Sequence, residues 1–320
     1  MPGPTIVCVS ANPAMDRRLR MESLAVGEIN RATSAQGLAG GKAAHVAMAT
    51  LAFGANPAWL GFLGGVIGQE CARQMEALGI RVVAIPTKSG TRVNLEMIDG
   101  AGRVTEILEP GAGPTAEERD EFLQKCVRGL REDWKQNAVL VISGSLPAGL
   151  GPDFYVELIE AARTAGAKVF VDTSGEALRA SANAHPDFVK VNRAEAATLV
   201  GRQLATIEEV ARAAGEIVER GVQSVAITLG REGLIWMERK AGPVWKARPP
   251  HMDVISAVGS GDATLGGFAH AAVEGIAGEE AMRLAAACGA ANCVADAPGR
   301  IELATVRALL TQIEVQRLTF

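Results

Sequence analysis

Apolar residues follow two spacings that alternate along most of this chain. Short continuous apolar runs, typical of strands buried on both faces of a parallel sheet, are separated by longer stretches with helical spacing. The runs predict strands at 5–10, 58–63, 80–85, 138–142, 168–172, 187–191 and 224–229. The other stretches predict helices at 40–51 (opened by a glycine turn), 69–78, 115–131, 153–165, 175–182 and 206–219. This order indicates βαβ units, so we expect an α/β fold with a mostly parallel sheet flanked by helices.

Two segments, 12–37 and 88–111, have a different pattern in which polar and apolar residues alternate. A period of two is typical of strands with one face in solvent. Within the second segment, residues 91–109 contain glycines at 100 and 102 and are predicted to form a hairpin. We expect the two segments to form one small β-sheet that lies off the core as a lid. The length of the chain favours a single domain, 1–320, with this sheet as its appendage.

The last part of the chain departs from strand and helix alternation. Its pattern predicts a hairpin at 233–248 and helices at 262–275, 279–295 and 302–315. The longest apolar stretch, 284–295, is too short to span a bilayer and is interpreted as a core helix.

Composition narrows the classes of function. With 36 glycines and 48% hydrophobic residues among 320, the chain suits a large core with many tight turns. A net charge of −4 provides no basic field, so neither nucleic acid nor an anionic membrane is an expected partner. The five cysteines contain no C-x-x-C pair, and the N-terminus shows no signal-peptide pattern. We therefore expect a cytoplasmic protein with reduced, buried thiols.

The strongest candidate for chemistry lies at 257–268, where Gly259, Ser260 and Gly261 precede Asp262 and an apolar helical run. Such a turn points several amides one way at the positive end of a helix dipole, which favours binding of an anion. The carboxylate of Asp262 has two interpretations. It is an ordinary helix cap, or it is a base that accepts a proton while the amides hold the charge that develops nearby.

Polar clusters follow nearly every predicted strand, and ligands collect at the carboxyl ends of parallel strands. The clusters are Asn12 with Asp16, 143–147, 172–175, 192–195 and 228–233. Their convergence predicts one site. Asn192 and Glu195 are three residues apart at a helix start, where they form either a cap or, through water, ligands of Mg²⁺.

The glycine-rich turn before the first helix is not a Walker motif. Gln36 stands where that motif has its first glycine, and Ala43 stands where it has serine or threonine. Lys42 lies in this turn and is interpreted as a ligand contact, with His45 one turn later on the same face. Gly259-x-Gly261 is likewise not a dinucleotide fingerprint, because only helices follow it.

In this order, these segments resemble the PfkB, or ribokinase-like, family of carbohydrate kinases, and within it the hexose-phosphate kinase branch. The resemblance covers the whole chain. It is carried by Asn12–Asp16, Gly27–Arg31, Gly40–Lys42, Thr91–Asn94, Thr105–Glu106, Ser143–Pro147, Asp172–Ala177, Lys190–Glu195 and Val258–Asp262. It implies a ribokinase-like fold with a β-sheet lid, and a homodimer formed through that lid.

The resemblance also implies ATP- and Mg²⁺-dependent phosphorylation of a ketohexose monophosphate (fructose 1-phosphate, tagatose 6-phosphate or fructose 6-phosphate) to a bisphosphate. Asp262 would be the base, and the amides of Gly259, Ser260 and Gly261 would form the anion hole. The implied sugar contacts are Asp16, Arg31, Gly41, Lys42, His45, Arg92 and Ser143. The implied nucleotide contacts are Lys190, Asn192, Glu195, Thr228, Gly230, Gly233, Gly289 and Asn292, with Asn192 and Glu195 also holding Mg²⁺.

The chain departs from the family's usual text around the sugar. His45 replaces an asparagine, Ala43 a glycine, Val191 a proline, and Ser256–Ala257 an Asn-Ser pair. Imidazole is bulkier than an amide and can carry charge near neutral pH, so substrate identity stays open. Two alternatives also stay open: a kinase for an unphosphorylated sugar or nucleoside, and a sugar-phosphate-binding regulator without catalysis.

Overall fold

The computed structural model describes residues 5–134 and 138–318. Its strands, in chain order, are β1 (Ile6–Ser10), β2 (Ala14–Arg20), β3 (Ser34–Gly40), β4 (Pro57–Gly64), β5 (Arg81–Thr87), β6 (Arg92–Ile98), β7 (Val104–Leu108), β8 (Val139–Ser143), β9 (Lys168–Asp172), β10 (Phe188–Asn192), β11 (Ser224–Thr228), β12 (Leu234–Met237), β13 (Val244–Arg248) and β14 (Glu314–Leu318). The helices are α1 (Lys42–Leu51), α2 (Gly65–Ala77), α3 (Ala116–Arg128), α4 (Asp153–Thr164), α5 (Gly175–Asn183), α6 (Arg193–Val200), α7 (Ile207–Glu219), α8 (Ser260–Glu274), α9 (Gly278–Cys293) and α10 (Leu303–Leu310). None of the helices described here is both long and apolar enough to cross a membrane.

The larger sheet confirms the predicted α/β class. Within the described residues it has ten strands in the order β14-β13-β12-β11-β10-β9-β8-β1-β4-β5. Neighbours from β11 to β5 pair in parallel, and β12, β13 and β14 are added antiparallel at one edge. Ile6 and Cys8 of β1 join the apolar cluster on one face, and Val7 and Val9 join that on the other. Burial on both faces explains why such strands are continuous apolar runs.

The C-terminal segment corrects the sequence prediction. A helix was predicted at 302–315, but α10 ends at Leu310 and residues from Glu314 form β14. This strand pairs antiparallel with β13, so that Val244 faces Leu318. Pairing with an available sheet edge decides the conformation here, and the local spacing of apolar residues does not reveal such a long-range partner.

The smaller sheet has the order β3-β2-β6-β7. Its two outer pairs are antiparallel hairpins, whereas the inner strands β2 and β6 pair in parallel. The hairpin predicted at 91–109 is therefore confirmed as β6 and β7. At its other end, β3 runs directly into the turn that opens α1, so the small sheet and the core meet at Gly40.

A buried ion pair joins two strands of the small sheet, and both of its members also bond residues outside the sheet. Arg18 of β2 bonds Glu96 of β6 through Nε and Oε2 at 2.7 Å, and the two side chains are 6% and 7% exposed. Arg18 also donates to the main-chain carbonyl of Asp296. The hydroxyl of Ser256 donates to Glu96 Oε1 at 3.1 Å and accepts from the amide of Val258 at 3.2 Å. A polar chain therefore links the lid strands to the loop that precedes α8.

We expect Glu96→Ala to lower the free energy of unfolding by about 3–5 kcal/mol, because it leaves the Arg18 guanidinium buried without its counter-charge. The double variant Arg18→Met/Glu96→Leu removes both charges and is expected to lose less. Glu106→Ala is a matched control, since Glu106 is the exposed cross-strand neighbour of Glu96 on β7. Urea denaturation measures all three. A single variant as stable as the parent would show that the pair does not hold the lid.

Candidate active site

The helix α8 begins at a glycine in the left-handed conformation. Gly259 has φ 80° and ψ −4°, and a Cβ there would lie 2.7 Å from Cβ of Pro298, so the turn and the close packing both require glycine. The amides of Gly259, Gly261 and Asp262 have no protein acceptor within the described chain, whereas the amide of Ser260 donates to Ala257 at 3.1 Å. Three unpaired donors at the positive end of a helix form the geometry of the predicted anion nest.

Side chains of α8 and α9 hold this nest in place. The hydroxyl of Ser260 donates to the carbonyl of Gly289 at 2.9 Å. Asn292 donates to the carbonyl of Val258 at 2.7 Å and accepts from the amide of Gly299 at 2.7 Å. Asn292 is 2% exposed. Its amide group therefore supports the nest, and Asn292, an implied nucleotide contact, is not among the residues that line the large cavity beside it.

Asp172, at the end of β9, is buried between two lysines. Its Oδ2 lies 2.6 Å from Lys190 Nζ and its Oδ1 lies 2.9 Å from Lys42 Nζ. Burial raises the pKa of Asp172, but the charges and hydrogen bonds of both lysines outweigh it and lower the pKa overall. The Asp172 carboxylate in turn raises the pKa of Lys42, against the effect of burial. Asp172 is therefore a carboxylate paired with two lysine side chains.

This lysine cluster adjoins the nest. A Cβ on Gly261 would lie 2.8 Å from Lys190 Nζ, which places an ammonium group beside the free amides. Sequence reasoning named Lys42 and Lys190 as site residues and missed Asp172, which holds both. The available signal was the polar cluster that Asp172 opens at a strand end.

His45, on α1, lies between two carboxylates of the predicted sugar side. Its Nε2 is 2.9 Å from Asp16 Oδ2, and its Nδ1 is 2.9 Å from Asp262 Oδ2. Asp16 also accepts from Asn94 Nδ2 at 2.8 Å and from the Gly41 amide at 3.1 Å. Burial raises the pKa of Asp16, but His45 and these two donors outweigh it and lower the pKa overall.

The other predicted sugar contacts do not all lie at the site. Ser143 is fully buried, its hydroxyl lacks a partner in the described chain, and it lies opposite Asp172 in the sheet. Arg92 donates to the main-chain carbonyls of Glu109 and, at 3.2 Å, Asn12. Arg31 lies in the exposed connection between β2 and β3, outside the strands. The structure thus brings Ser143 to the site edge and leaves Arg31 on the surface.

A cavity of about 770 Å³ opens on the other side of the nest. Its size is in the range of small-molecule sites. The predicted nucleotide contacts Thr228, Gly230, Gly233 and Gly289 line it together with Ser260 and Gly261. Basic side chains also line it: Arg231 from the turn between β11 and β12, and Lys246 and Arg248 from β13.

Asn192 and Glu195 form a helix cap. Asn192 Oδ1 accepts from the Glu195 amide at 2.9 Å, and Glu195 Oε2 accepts from the Asn192 amide at 2.8 Å. The capping interpretation is confirmed. No group of three or more His, Cys, Asp or Glu suited to a metal occurs in the described residues. Glu195 is partly exposed, its Oε1 is not used by the cap, and its charge contributes to the raised pKa of Lys42. That oxygen fits a Mg²⁺ ion that keeps most of its waters.

Comparison with known proteins agrees with this geometry. Residues 4–299 match the family model described as pfkB family carbohydrate kinase. The chain belongs to this family. It is 35% identical over 285 residues to a 1-phosphofructokinase of Rhodobacter capsulatus, with 88% of each chain covered. It is 30% identical over 313 residues to a tagatose-6-phosphate kinase of Staphylococcus epidermidis, covering 97% of this chain and 99% of the relative.

A solved structure shows the same fold. Phosphofructokinase-2 from Escherichia coli, in complex with substrates and products, superimposes with a TM-score of 0.89 at 27% identity, covering 96% of this chain and 98% of that one. The predicted family and ribokinase-like α/β architecture are therefore confirmed. In this pfkB kinase, the nest lies between a large cavity, lined by Ser260 and Gly261, and the His45-bound carboxylate of Asp262.

We expect Gly261→Ala to lower kcat by about tenfold or more, because its Cβ would collide with Lys190 Nζ beside the nest donors. Asp172 holds this ammonium, so the lysine does not move aside freely. Gly215→Ala in α7 is the control, since nothing lies within 4 Å of its added methyl group, and it should keep full activity with equal or higher stability. Steady-state kinetics and thermal unfolding of both variants test this. Full kcat in Gly261→Ala would contradict the close approach.

Proposed function

We propose that this kinase transfers the terminal phosphoryl group of ATP to a hydroxyl of a ketohexose monophosphate and so forms a bisphosphate. The acceptor is fructose 1-phosphate, tagatose 6-phosphate or fructose 6-phosphate. The observation that carries the proposal is the position of Asp262, whose carboxylate lies at the nest, between the large cavity and Asp16. The names of the relatives support a phosphorylated ketohexose as the acceptor.

In the proposed reaction, Asp262 accepts the proton of the attacking hydroxyl through Oδ1, the oxygen that His45 does not bond. The free amides of Gly259, Gly261 and Asp262 hold the charge of the phosphoryl group in transfer, and Lys190 adds its ammonium group beside them. This division of roles suits phosphoryl transfer, which depends on positioning and charge stabilisation more than on covalent chemistry.

The nucleotide occupies the large cavity in this proposal, with its phosphates directed to the nest. Thr228, Gly230 and Gly233 line the part of the cavity that follows β11. A Cβ on Gly233 would lie 1.8 Å from the carbonyl of Ala247, so the close β12–β13 hairpin requires glycine there. Mg²⁺, when bound, neutralises phosphate charge, and Glu195 with Asn192 would hold it through water.

The existing phosphate of the acceptor is assigned to Arg92 and Arg31, with Lys42 next to the sugar. Lys42 is 40% exposed at its side chain, so its ammonium group is accessible from the site. One observation favours an unphosphorylated acceptor instead. Both terminal nitrogens of Arg92 already donate to main-chain carbonyls, which leaves fewer donors for a phosphate.

The lid sheet also supports a proposed homodimer. Large apolar side chains are exposed on it: Val26 (97%), Ile29 (82%), Ile107 (53%) and Leu108 (59%). The strand β7 is exposed along its length and forms one edge of the sheet. Exposed apolar side chains and an unpaired strand edge are typical of an interaction surface.

The proposed location is the cytoplasm. Cys8, Cys71, Cys126 and Cys288 are buried, Cys293 is partly exposed, and all five are unpaired. Unpaired thiols are the usual state in a reducing compartment.

The substrate class is tested by ADP release with the three phosphosugars, the corresponding free sugars and nucleosides. We expect turnover with a phosphosugar. Arg92→Ala should raise KM for the phosphosugar steeply, whereas Arg20→Ala, which changes an exposed arginine on β2, should not. Turnover confined to unphosphorylated acceptors would refute the phosphate assignment.

The role of Asp262 is tested by steady-state kinetics of Asp262→Asn. We expect this variant to lower kcat by about a hundredfold or more, because the base is lost. Full kcat in Asp262→Asn would refute the base.

The dimer is tested by light scattering, where we expect twice the chain mass of 33.3 kDa. Ile107→Lys should shift the protein toward the monomer, because it places a charge on the apolar lid surface. Val66→Lys is the control, since Val66 is 80% exposed but lies on α2 of the core. A monomeric parent protein, or equal effects of both substitutions, would contradict a lid interface.

A further inference from the structure

His45 lies on α1, and both of its ring nitrogens are hydrogen-bonded: one to Asp16 of β2 and the other to Asp262 of α8. We infer that His45 is a positioning residue that binds Asp16 and Asp262 together as an imidazolium and fixes the proposed base with its Oδ1 toward the acceptor hydroxyl. The catalytic part of this inference rests on the proposed function. The bridge itself rests on the geometry alone.

Hydrogen-bond chemistry fixes the charge of the ring. Each nitrogen lies 2.9 Å from a carboxylate oxygen, and an ionised carboxylate only accepts hydrogen bonds. Both nitrogens must therefore carry a proton. A neutral imidazole would direct a lone pair at one of the two carboxylates, in a place where the side chain is only 6% exposed.

The backbone approaches the Asp16 side chain and the main chain of His45 closely. A Cβ on Gly40 would lie 2.0 Å from Asp16 Oδ2, and a Cβ on Gly299 would lie 2.6 Å from the carbonyl of His45. The chain thus approaches both His45 and Asp16 where side chains are absent.

Other charged groups around the ring do not bond it. They are Arg18 and Glu96, which bond each other, Arg300, Glu106 and Lys42. Arg18, Glu96 and Arg300 face His45 and Asp16 across a small enclosed cavity of about 10 Å³. In the described chain the ring therefore donates its hydrogen bonds to Asp16 and Asp262, and these two carboxylates set its protonation.

The titration of His45 agrees with the geometry. Burial lowers the pKa of His45, but the hydrogen bonds and charges of Asp16 and Asp262 outweigh it and raise the pKa to about 10. Because this value lies above the ordinary 6.5, the bridge stabilises the folded state fully below about pH 6.5. That contribution is lost as the pH rises through about 10.

The bridge has a consequence for catalysis. A base must be ionised to accept a proton, and the imidazolium places a positive charge 2.9 Å from Asp262 Oδ2. A neighbouring positive charge favours the ionised form of a carboxylate. Because Oδ2 is bonded to the ring, Oδ1 is left for the acceptor hydroxyl. A neutral residue at position 45 would remove both the charge and the orientation, so activity should fall most at low pH.

The first test follows the ring directly and needs no turnover. The chain has four histidines, and comparison of ¹⁵N spectra of the substrate-free parent protein with those of the variant His45→Asn assigns the His45 signals. We expect those signals to report an imidazolium up to about pH 9. Asp16→Asn should lower the pH of deprotonation by about one unit or more. A ring that is neutral at pH 8 would overturn the bridge, even if no sugar is phosphorylated.

The second test measures the pH dependence of kcat/KM for His45→Asn and His45→Gln, with His185→Asn as control. His185 has φ 56°, which asparagine tolerates, and it lies outside the site. We expect the acid limb to move to higher pH by about one unit or more in both His45 variants, with kcat about tenfold or more lower at pH 7. A loss that is equal at every pH would show a space-filling role and overturn the positioning role. Two variants are used so that misfolding of one does not remove the test.

Discussion

The arrangement of this site depends on how buried carboxylates are neutralised at the carboxyl edge of the sheet. A carboxylate removed from water is costly unless it is paired and hydrogen-bonded. The protein meets this requirement with two clusters of alternating charge: Lys42–Asp172–Lys190 and Asp16–His45–Asp262. The helix α1 contributes Lys42 to the first cluster and His45, three positions later, to the second.

The two clusters have opposite net charge, and each lies where its sign is useful. The lysine cluster carries excess positive charge and adjoins the nest through Lys190, where phosphate charge would be held. The His45 cluster carries excess negative charge and includes Asp262, where a proton would be accepted. The helix start at Gly41, with φ 84°, sets the position of α1 and therefore of both clusters. The glycine turn thus organises the site although it binds no phosphate through a Walker pattern.

Features with a local cause were predictable from the sequence, and features that depend on distant partners were not. The nest at 259–262 and the cap between Asn192 and Glu195 follow from residues a few positions apart. The strands buried on both faces were also predictable, because each of them is a continuous run of apolar residues in the sequence. By contrast, Lys42 meets Asp172 across 130 positions and His45 meets Asp262 across 217, and no local pattern encodes such contacts. The pairing of β14 with β13 escaped prediction for the same reason.

The lid takes part in the same electrostatic arrangement. Arg18 and Glu96 pair in the strands β2 and β6, and Glu96 continues through the Ser256 hydroxyl to the amide of Val258, one residue before the nest. Asp16 lies on the same strand as Arg18 and binds His45. The lid therefore contacts the loop of α8 from two sides: through Ser256 before the nest, and through His45 at Asp262. Because both contacts are buried and charged, displacing the lid would expose or unpair charges that also fix the nest and the proposed base. The position of the small sheet and the geometry of the proposed base are consequently set by one network.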